Sequence, residues 1–220
     1  MTLAGTNTYL YGSGGCTVID PGPADPGHID AVQVAAAARG GIDAVLLTHS
    51  HGDHADGVAR LGAELIRLAD GETHSGLRAV ATPGHAPDHV CFLTEDGVCF
   101  SGDLVLGEGS TFVPPDGGSL AAYMESLQRV RDLSPTFICP GHGPWIADAD
   151  AKLSAYIEHR LDRERRLLEA LEGGERSRAA LLDAAWWDVP DEMRGAAAIV
   201  MQAHLDKLES EGRLPEDLRD

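Results

Sequence analysis

Short apolar runs separated by glycine, proline and aspartate fill the first 145 residues, and a helical period takes over near residue 148. Segments 7–11, 16–20, 44–48, 64–67, 77–81, 90–93, 98–101 and 136–139 are apolar or alternate apolar with polar positions. Their length and their breakers predict strands. Helical patterns lie between them. Residues 26–39 are alanine-rich with Asp25 placed as a cap, 56–61 are short, and 119–133 put Leu120, Tyr123, Met124, Leu127 and Val130 on one face. Strands alternating with helices predict an α/β layered architecture. From there the texture changes. Residues 149–171 repeat Leu153, Tyr156, Ile157, Leu161, Leu168 and Leu171 at helical spacing until Gly173 and Gly174 end the pattern. Residues 177–186 and 191–211 predict two further helices, with Gly212 as a stop. The expected organisation is a layered domain over 1–147 and a helical unit over 148–220. That unit is either a helix-turn-helix-like appendage or a cap packed on the first domain.

Composition narrows the class. A hydrophobic fraction of 43% supports a sizeable core, and no apolar run reaches the ~20 residues that span a bilayer. The opening MTLAGTNTYLYGSGG has neither a basic segment nor a long apolar one, so a cytoplasmic protein without a signal peptide is expected. The cysteines Cys16, Cys91, Cys99 and Cys139 are scattered singly, which argues against a cysteine zinc site and for small buried hydrophobes at the last three. Net charge is −18; residues 1–151 hold 6 Lys and Arg against 19 Asp and Glu. Such a surface repels a phosphate backbone and counts against nucleic acid as a partner.

The chemistry concentrates in LLTHSHGDHADG, where His49, His51, Asp53 and His54 follow directly on a strand-like run. A loop at a strand end can turn these side chains toward one point or two adjacent points. Imidazole nitrogen and carboxylate oxygen suit zinc, and iron and manganese as well. Three later segments supply more donors: His85 in ATPGHAPDH, Asp103 in CFSGDLVLG and His142 in ICPGHGP, each preceded by a glycine. Five histidines and two aspartates make two sets of three with one carboxylate left to bridge.

With Asp20 in VIDPG ahead of them, the segments HSHGDH, PGH, SGD and PGH resemble, in order, the motifs of the metallo-β-lactamase superfamily. The resemblance implies an αββα sandwich. It implies two divalent cations, zinc as the first expectation, one on His49, His51 and His85, the other on Asp53, His54 and His142. Asp103 then bridges them, and Asp20 supports the loops. The start NTYLY, the stretch GHGPWI with the long helix YIEHRLDRERRLLEAL, and HLDKLESEGRL are similar to the lactamase-β-like protein two branch, which implies a C-terminal winged-helix-like domain. Members of that branch carry a further strand ahead of the NTYL segment; the difference touches the edge of one sheet and not the metal ligands.

The implied chemistry is hydrolysis by a hydroxide bridging two metals, with Asp53 orienting it. A small thioester or related acyl compound, as in glyoxalase II, is the expected substrate. The alternatives are an endoribonuclease acting on single-stranded RNA and a non-enzymatic, metal-stabilised helix-turn-helix regulator. The acidic surface favours the acyl substrate. Of the remaining side chains, His89 lies near the site as a supporting or packing residue, Thr48 orients the loop and Asn7 anchors a turn. His28, His74, His159 and His204 read as surface or core, Trp186 and Trp187 as core of the tail, and 159–166 as a solvated, ion-paired face. The Gly- and Pro-rich loop 107–118 is expected to line the entrance. The apolar stripe of 191–211 needs a partner surface, either the first domain or a second copy in a homodimer.

Overall fold

In the computed structural model, which describes residues 5–218, the apolar runs pair into two sheets. The first is built from β1 (Tyr9–Tyr11), β2 (Cys16–Ile19), β3 (Ile42–Leu46) and β4 (Glu64–Leu65), in that order, with β1 antiparallel and the others parallel. The parallel crossovers carry α1 (Pro26–Ala37) between β2 and β3, and the short α2 (Gly52–Ala55) and α3 (Val58–Leu61) between β3 and β4. The second sheet runs β5 (Thr73–His74), β6 (Leu77–Ala81), β7 (Val90–Leu93), β8 (Val98–Gly102) and β9 (Phe137–Pro140). It is antiparallel except where α4 (Leu120–Asp132) returns the chain to set β9 parallel to β8. A strand ahead of the NTYL segment would fall outside the described residues.

Period-two alternation sorts the side chains into three cores. Ile19, Leu46, Leu77, Ala79, Phe92, Phe100 and Cys139 point between the sheets. Their neighbours point outward: Val18 and Val45 pack against Ile29 and Val32 of α1, while Val80, Cys91, Cys99 and Ile138 pack against α4. Each sheet therefore buries both faces, which makes the layering helix–sheet–sheet–helix. Asp25 caps α1 by accepting the His28 N–H, and Ser119 caps α4 through the Ala122 N–H. All four cysteines are free and buried.

The tail consists of α5 (Ala149–Glu172), α6 (Arg178–Ala185), a 3-10 turn (Asp191–Met193) and α7 (Arg194–Ser210). Leu167, Leu171, Leu181, Leu182, Trp186, Met201, Leu205 and Leu208 form its own apolar core. It is also fastened to the sandwich, because Ala149, Leu153 and Tyr156 of α5 and Ala203 of α7 belong to the core around α4. The tail shows helices alone among its described residues, so the strands of a wing are not among them. None of the helices described is long and apolar enough to cross a membrane.

Several expectations shift. β5 is two residues long and escapes a periodicity reading. The helix expected over 56–61 begins at Val58, and a separate turn, α2, carries Asp53 and His54. The helix expected over 191–211 opens as a 3-10 turn after Pro190. Trp187 is exposed beneath the Arg166 guanidinium, so only Trp186 is core. The 159–166 face is solvated and ion-paired at Asp162, Arg165 and Arg166, but Arg160, Arg163 and Glu164 are buried.

Strand directions decide where the chemistry lands. β2 and β3 are parallel, as are β8 and β9, and β6 runs with β8 through the intervening antiparallel β7. The segments leaving β2, β3, β6, β8 and β9 carry Asp20, His49, His85, Asp103 and His142, and the last three leave one end of their sheet together.

Phe92 fills the space between the sheets and is 1% exposed, whereas Val34 on α1 is 72% exposed. Phe92→Ala is expected to cost about 3–5 kcal/mol of unfolding free energy in urea titrations. Val34→Ala should stay within roughly 0.5 kcal/mol.

Candidate metal centre

β3 ends at Leu46, and two residues on, the backbone N–H of Thr48 donates to Asp20 Oδ1 at 2.7 Å. The Thr48 hydroxyl donates to Asp20 Oδ2 at 2.6 Å. That leaves the hydroxyl oxygen to accept the Nδ1–H of His49 at 3.1 Å. Asp20 Oδ2 also takes the Nδ1–H of His54 at 2.9 Å. Asp20 holds a left-handed backbone with φ 51°, a strained conformation for a side-chain-bearing residue, which three hydrogen bonds keep in place.

The same arrangement recurs around the site. His85 gives its Nδ1–H to the Phe112 carbonyl at 2.7 Å, and His142 gives its own to the Gly5 carbonyl at 2.9 Å. Four imidazoles thus have Nδ1 occupied from behind and present Nε2 lone pairs to one space. This is the tautomer in which imidazole ligates a metal.

The lone pairs meet in two groups. His49 Nε2 and His85 Nε2 each lie 3.0 Å from His51 Nδ1. His54 Nε2 lies 3.2 Å from His142 Nε2, with Asp53 Oδ2 3.4 Å from His142 and 3.9 Å from His54. The carboxylate of Asp103 stands between. Its Oδ1 is 3.4 Å from both His54 and His142, and its Oδ2 is 3.6 Å from His85. All seven predicted ligand residues therefore come together, and His49, His51, His85 and Asp53, His54, His142 each offer atoms close enough to share one ion. Asp103 Oδ1 is buried without a hydrogen-bond partner. An orphaned buried carboxylate oxygen among converging nitrogen lone pairs is a donor set that fits divalent cations.

The electrostatics agree. Burial opposes charge on His54 and His142. Even so, the Asp103 carboxylate 3.4 Å from both rings, Asp20 accepting from His54 and Asp53 beside His142 outweigh it and lift each pKa to about 10. In the metal-free chain a proton holds the place of a cation there. Burial drives His49 and His85 the other way, toward the neutral ring. The hydrogen bond to His142 keeps Asp53 ionised below the usual carboxylate range.

Glycines before the ligands allow the crowding. A Cβ on Gly141 would stand 2.6 Å from Asp103 Oδ1 and 2.8 Å from the His54 ring. Gly102 has φ +46° and would press a Cβ onto Thr48 and His89. Asn7 anchors the last loop by donating to the carbonyls of Pro140 and Gly143.

His89 is not positioned as a ligand. Its Nε2 accepts the Asp103 N–H at 3.1 Å, and its Nδ1 bonds Thr82 Oγ1 at 2.8 Å, so it braces the Asp103 backbone. His28 bonds Thr8 and Pro21 outside the cluster, and His204 is buried in the tail against Trp186. The Phe112 and Gly5 carbonyls escaped the sequence reading, since a backbone acceptor has no residue signature.

The profile of the metallo-beta-lactamase superfamily matches residues 1–66 and 63–142. The chain is similar to the beta-lactamase-like protein 2 homolog of Drosophila melanogaster, 34% identical over 97% of this chain and 85% of that protein. It is 36% identical to the atrochrysone carboxyl ACP thioesterase of Aspergillus fumigatus over 100% of this chain and 72% of that protein. Its fold is similar to that of a metallo-beta-lactamase family protein from Thermus thermophilus, with a TM-score of 0.75 at 24% identity, covering 94% of this chain and 89% of the other.

Because the pKa values of His54 and His142 are raised to about 10, these rings carry protons below that pH and a cation must displace them. Zn2+ titrated into metal-free protein at pH 8.5 should release protons, measured by calorimetry in buffers of different ionisation enthalpy. The release should fade as pH rises through 10. Histidines of ordinary pKa would release almost none of their own at pH 8.5, leaving only the proton given up by metal-bound water. Asp103→Ala should lose at least one of two metals by elemental analysis, with the helical circular dichroism of the tail unchanged.

Proposed function

The chain belongs to the metallo-beta-lactamase superfamily of hydrolases, and from that membership we propose that it is a dinuclear metal-dependent hydrolase of a small thioester or related acyl compound. One observation carries the proposal: two lone-pair clusters flank a single buried carboxylate, Asp103, with one oxygen directed to each. His49, His51 and His85 would hold one cation, Asp53, His54 and His142 the other, and Asp103 both. Zinc suits these donors, as do iron and manganese. Bound there, divalent cations supply Lewis acidity to a carbonyl oxygen and acidify water to near neutral pH.

The protein's own groups do the rest. Asp53 is the half-exposed carboxylate of the cluster, and its low pKa keeps it ionised, so that it can accept a hydrogen bond from the attacking water and orient it. The water oxygen bonds to the acyl carbon, the carbon–sulfur bond breaks, and the sulfur leaves as a thiolate. The proton lost by water passes by way of Asp53 to that thiolate, giving a thiol. His51 faces solvent, and Phe112, whose carbonyl holds His85, is exposed as well, which would place both toward an incoming substrate. The loop 107–118 would form one side of that entrance.

The thioesterase relative supports acyl chemistry, and a net charge of −18 supports a small molecule over RNA. The regulator alternative does not suit a member of a hydrolase superfamily. The proposed organisation is a sandwich over 1–147 and a helical domain over 148–220, in which the winged-helix likeness rests on the helices. A cytoplasmic location and a homodimer are further parts of this reading.

Purified, metal-analysed protein assayed on thioesters, lactones, phosphodiesters and single-stranded RNA is the direct test. Thioester or ester turnover with weak RNA binding at low salt is expected. Tight RNA binding with a log–log salt slope of several, and specific cleavage lost in His54→Ala, would replace the acyl reading with an endoribonuclease.

A further inference from the structure

The long tail helix reaches the metal cluster through one loop. Residues 104–112 leave the bridging Asp103 at one end and deliver the Phe112 carbonyl to His85 Nδ1 at the other. Three side chains of α5, spaced four apart and so on one face, hold this segment. Lys152 Nζ donates to the Gly107 carbonyl at 3.0 Å. The Tyr156 hydroxyl accepts the Leu106 N–H at 3.0 Å and donates to the Gly109 carbonyl at 2.9 Å. The Arg160 guanidinium donates to the carbonyl of Thr111, the residue before Phe112.

Arg160 has a peculiar energetic position. It is 3% exposed, its Nε has no partner, and its other neighbour is the Tyr123 ring 5.5 Å away. Among the described residues no carboxylate pairs with it. Its guanidinium is thus a buried charge with five N–H donors to satisfy. Losing the Thr111 carbonyl would take a hydrogen-bond acceptor from this buried charge, which is costly. The Thr111–Phe112 backbone is therefore held firmly where His85 needs it.

We infer that Arg160, with Tyr156, is a positioning residue for the metal centre: it locks the Thr111–Phe112 backbone so that His85 stays in the Nδ1–H tautomer with Nε2 directed at the cluster. The inference rests on the metal reading above for its consequence, but the His85 geometry can be read without metal. Ligand-supporting groups of this kind are typically worth roughly tenfold to a hundredfold in metal affinity. That loss should fall on the group holding His85 and spare the Asp53, His54 and His142 group.

The full-length protein serves in three variants: Arg160→Met, Tyr156→Phe, and Leu181→Ala as a tail-core substitution away from the loop. Zn2+ competition against a chelator of known affinity measures each metal equivalent, and 15N–1H spectra of the histidine rings report the His85 Nδ1–H proton in metal-free protein. Arg160→Met should weaken one equivalent roughly tenfold or more, leave the other unchanged, and broaden or erase the His85 Nδ1–H signal. Tyr156→Phe should do the same more mildly and decides the matter should Arg160→Met fail to fold. Leu181→Ala should lower stability and move neither readout. An unchanged His85 signal in the folded arginine or tyrosine variants overturns the inference, as does an equal shift in Leu181→Ala. A wild-type chain that binds no metal would sink the dinuclear reading alone, because the ring signal still judges this one.

Discussion

The Asp20 carboxylate is the tie on which the centre depends. It sits at the end of β2, beside the end of the parallel β3, and accepts the Thr48 N–H, the Thr48 hydroxyl and the His54 Nδ1–H. Those bonds join two strand ends, orient His49 through the Thr48 oxygen, and fix the tautomer of His54. The strain of a left-handed aspartate is held in place by the contacts around it, and a hydrogen-bonded carboxylate with few alternatives is a rigid one. Four imidazoles then follow one rule: Nδ1 is claimed by the protein and Nε2 is left for the site.

That rule settles a conflict between burial and charge. His49, His54, His85, Asp103 and His142 are all buried, where unpaired lone pairs and a carboxylate oxygen without a donor are unfavourable. Without a cation the site resolves the conflict by protonating His54 and His142 against the surrounding carboxylates. With one, the same carboxylates and lone pairs are satisfied together. The opposite pulls on the two histidine groups arise because Asp103 Oδ1, with Asp20 and Asp53, stands on the His54 and His142 side, while burial prevails at His49 and His85.

Much of this could be read in the sequence, and the limits have physical reasons. The candidate ligands are side chains packed into short motifs after strand-like runs, so residue type and spacing mark them as candidates before any fold is known. The αββα layering follows from alternation such as Cys91–Phe92–Leu93, in which inward and outward positions are both apolar. The supports are harder to see. The Phe112 and Gly5 carbonyls depend on where the backbone passes. His89 is a histidine like the ligands, and only its bonds to Thr82 and the Asp103 N–H show that it braces. The α2 turn is too short for a helical period to appear. Arg160 was hidden for a different reason. It lies in a basic and acidic run whose i,i+4 pairs are solvated on one side of α5, while the other side turns the same residue types inward.

The tail therefore bears on the site in a way that its own charge pattern does not suggest. α7 is acidic outside and apolar inside, and Ala203 joins the core around α4. Its inner face is thereby spent on packing. Glu164, buried in α5, draws Lys207 and Arg213 inward, so two of the cations a nucleic-acid-binding tail would present to phosphates are paired with a carboxylate. The positive charges at the loop beside the centre, Lys152 and Arg160, are likewise committed to carbonyls. The basic residues of the tail thus hold the fold and the loop beside His85, and few of them are left to offset the acidic outer surface.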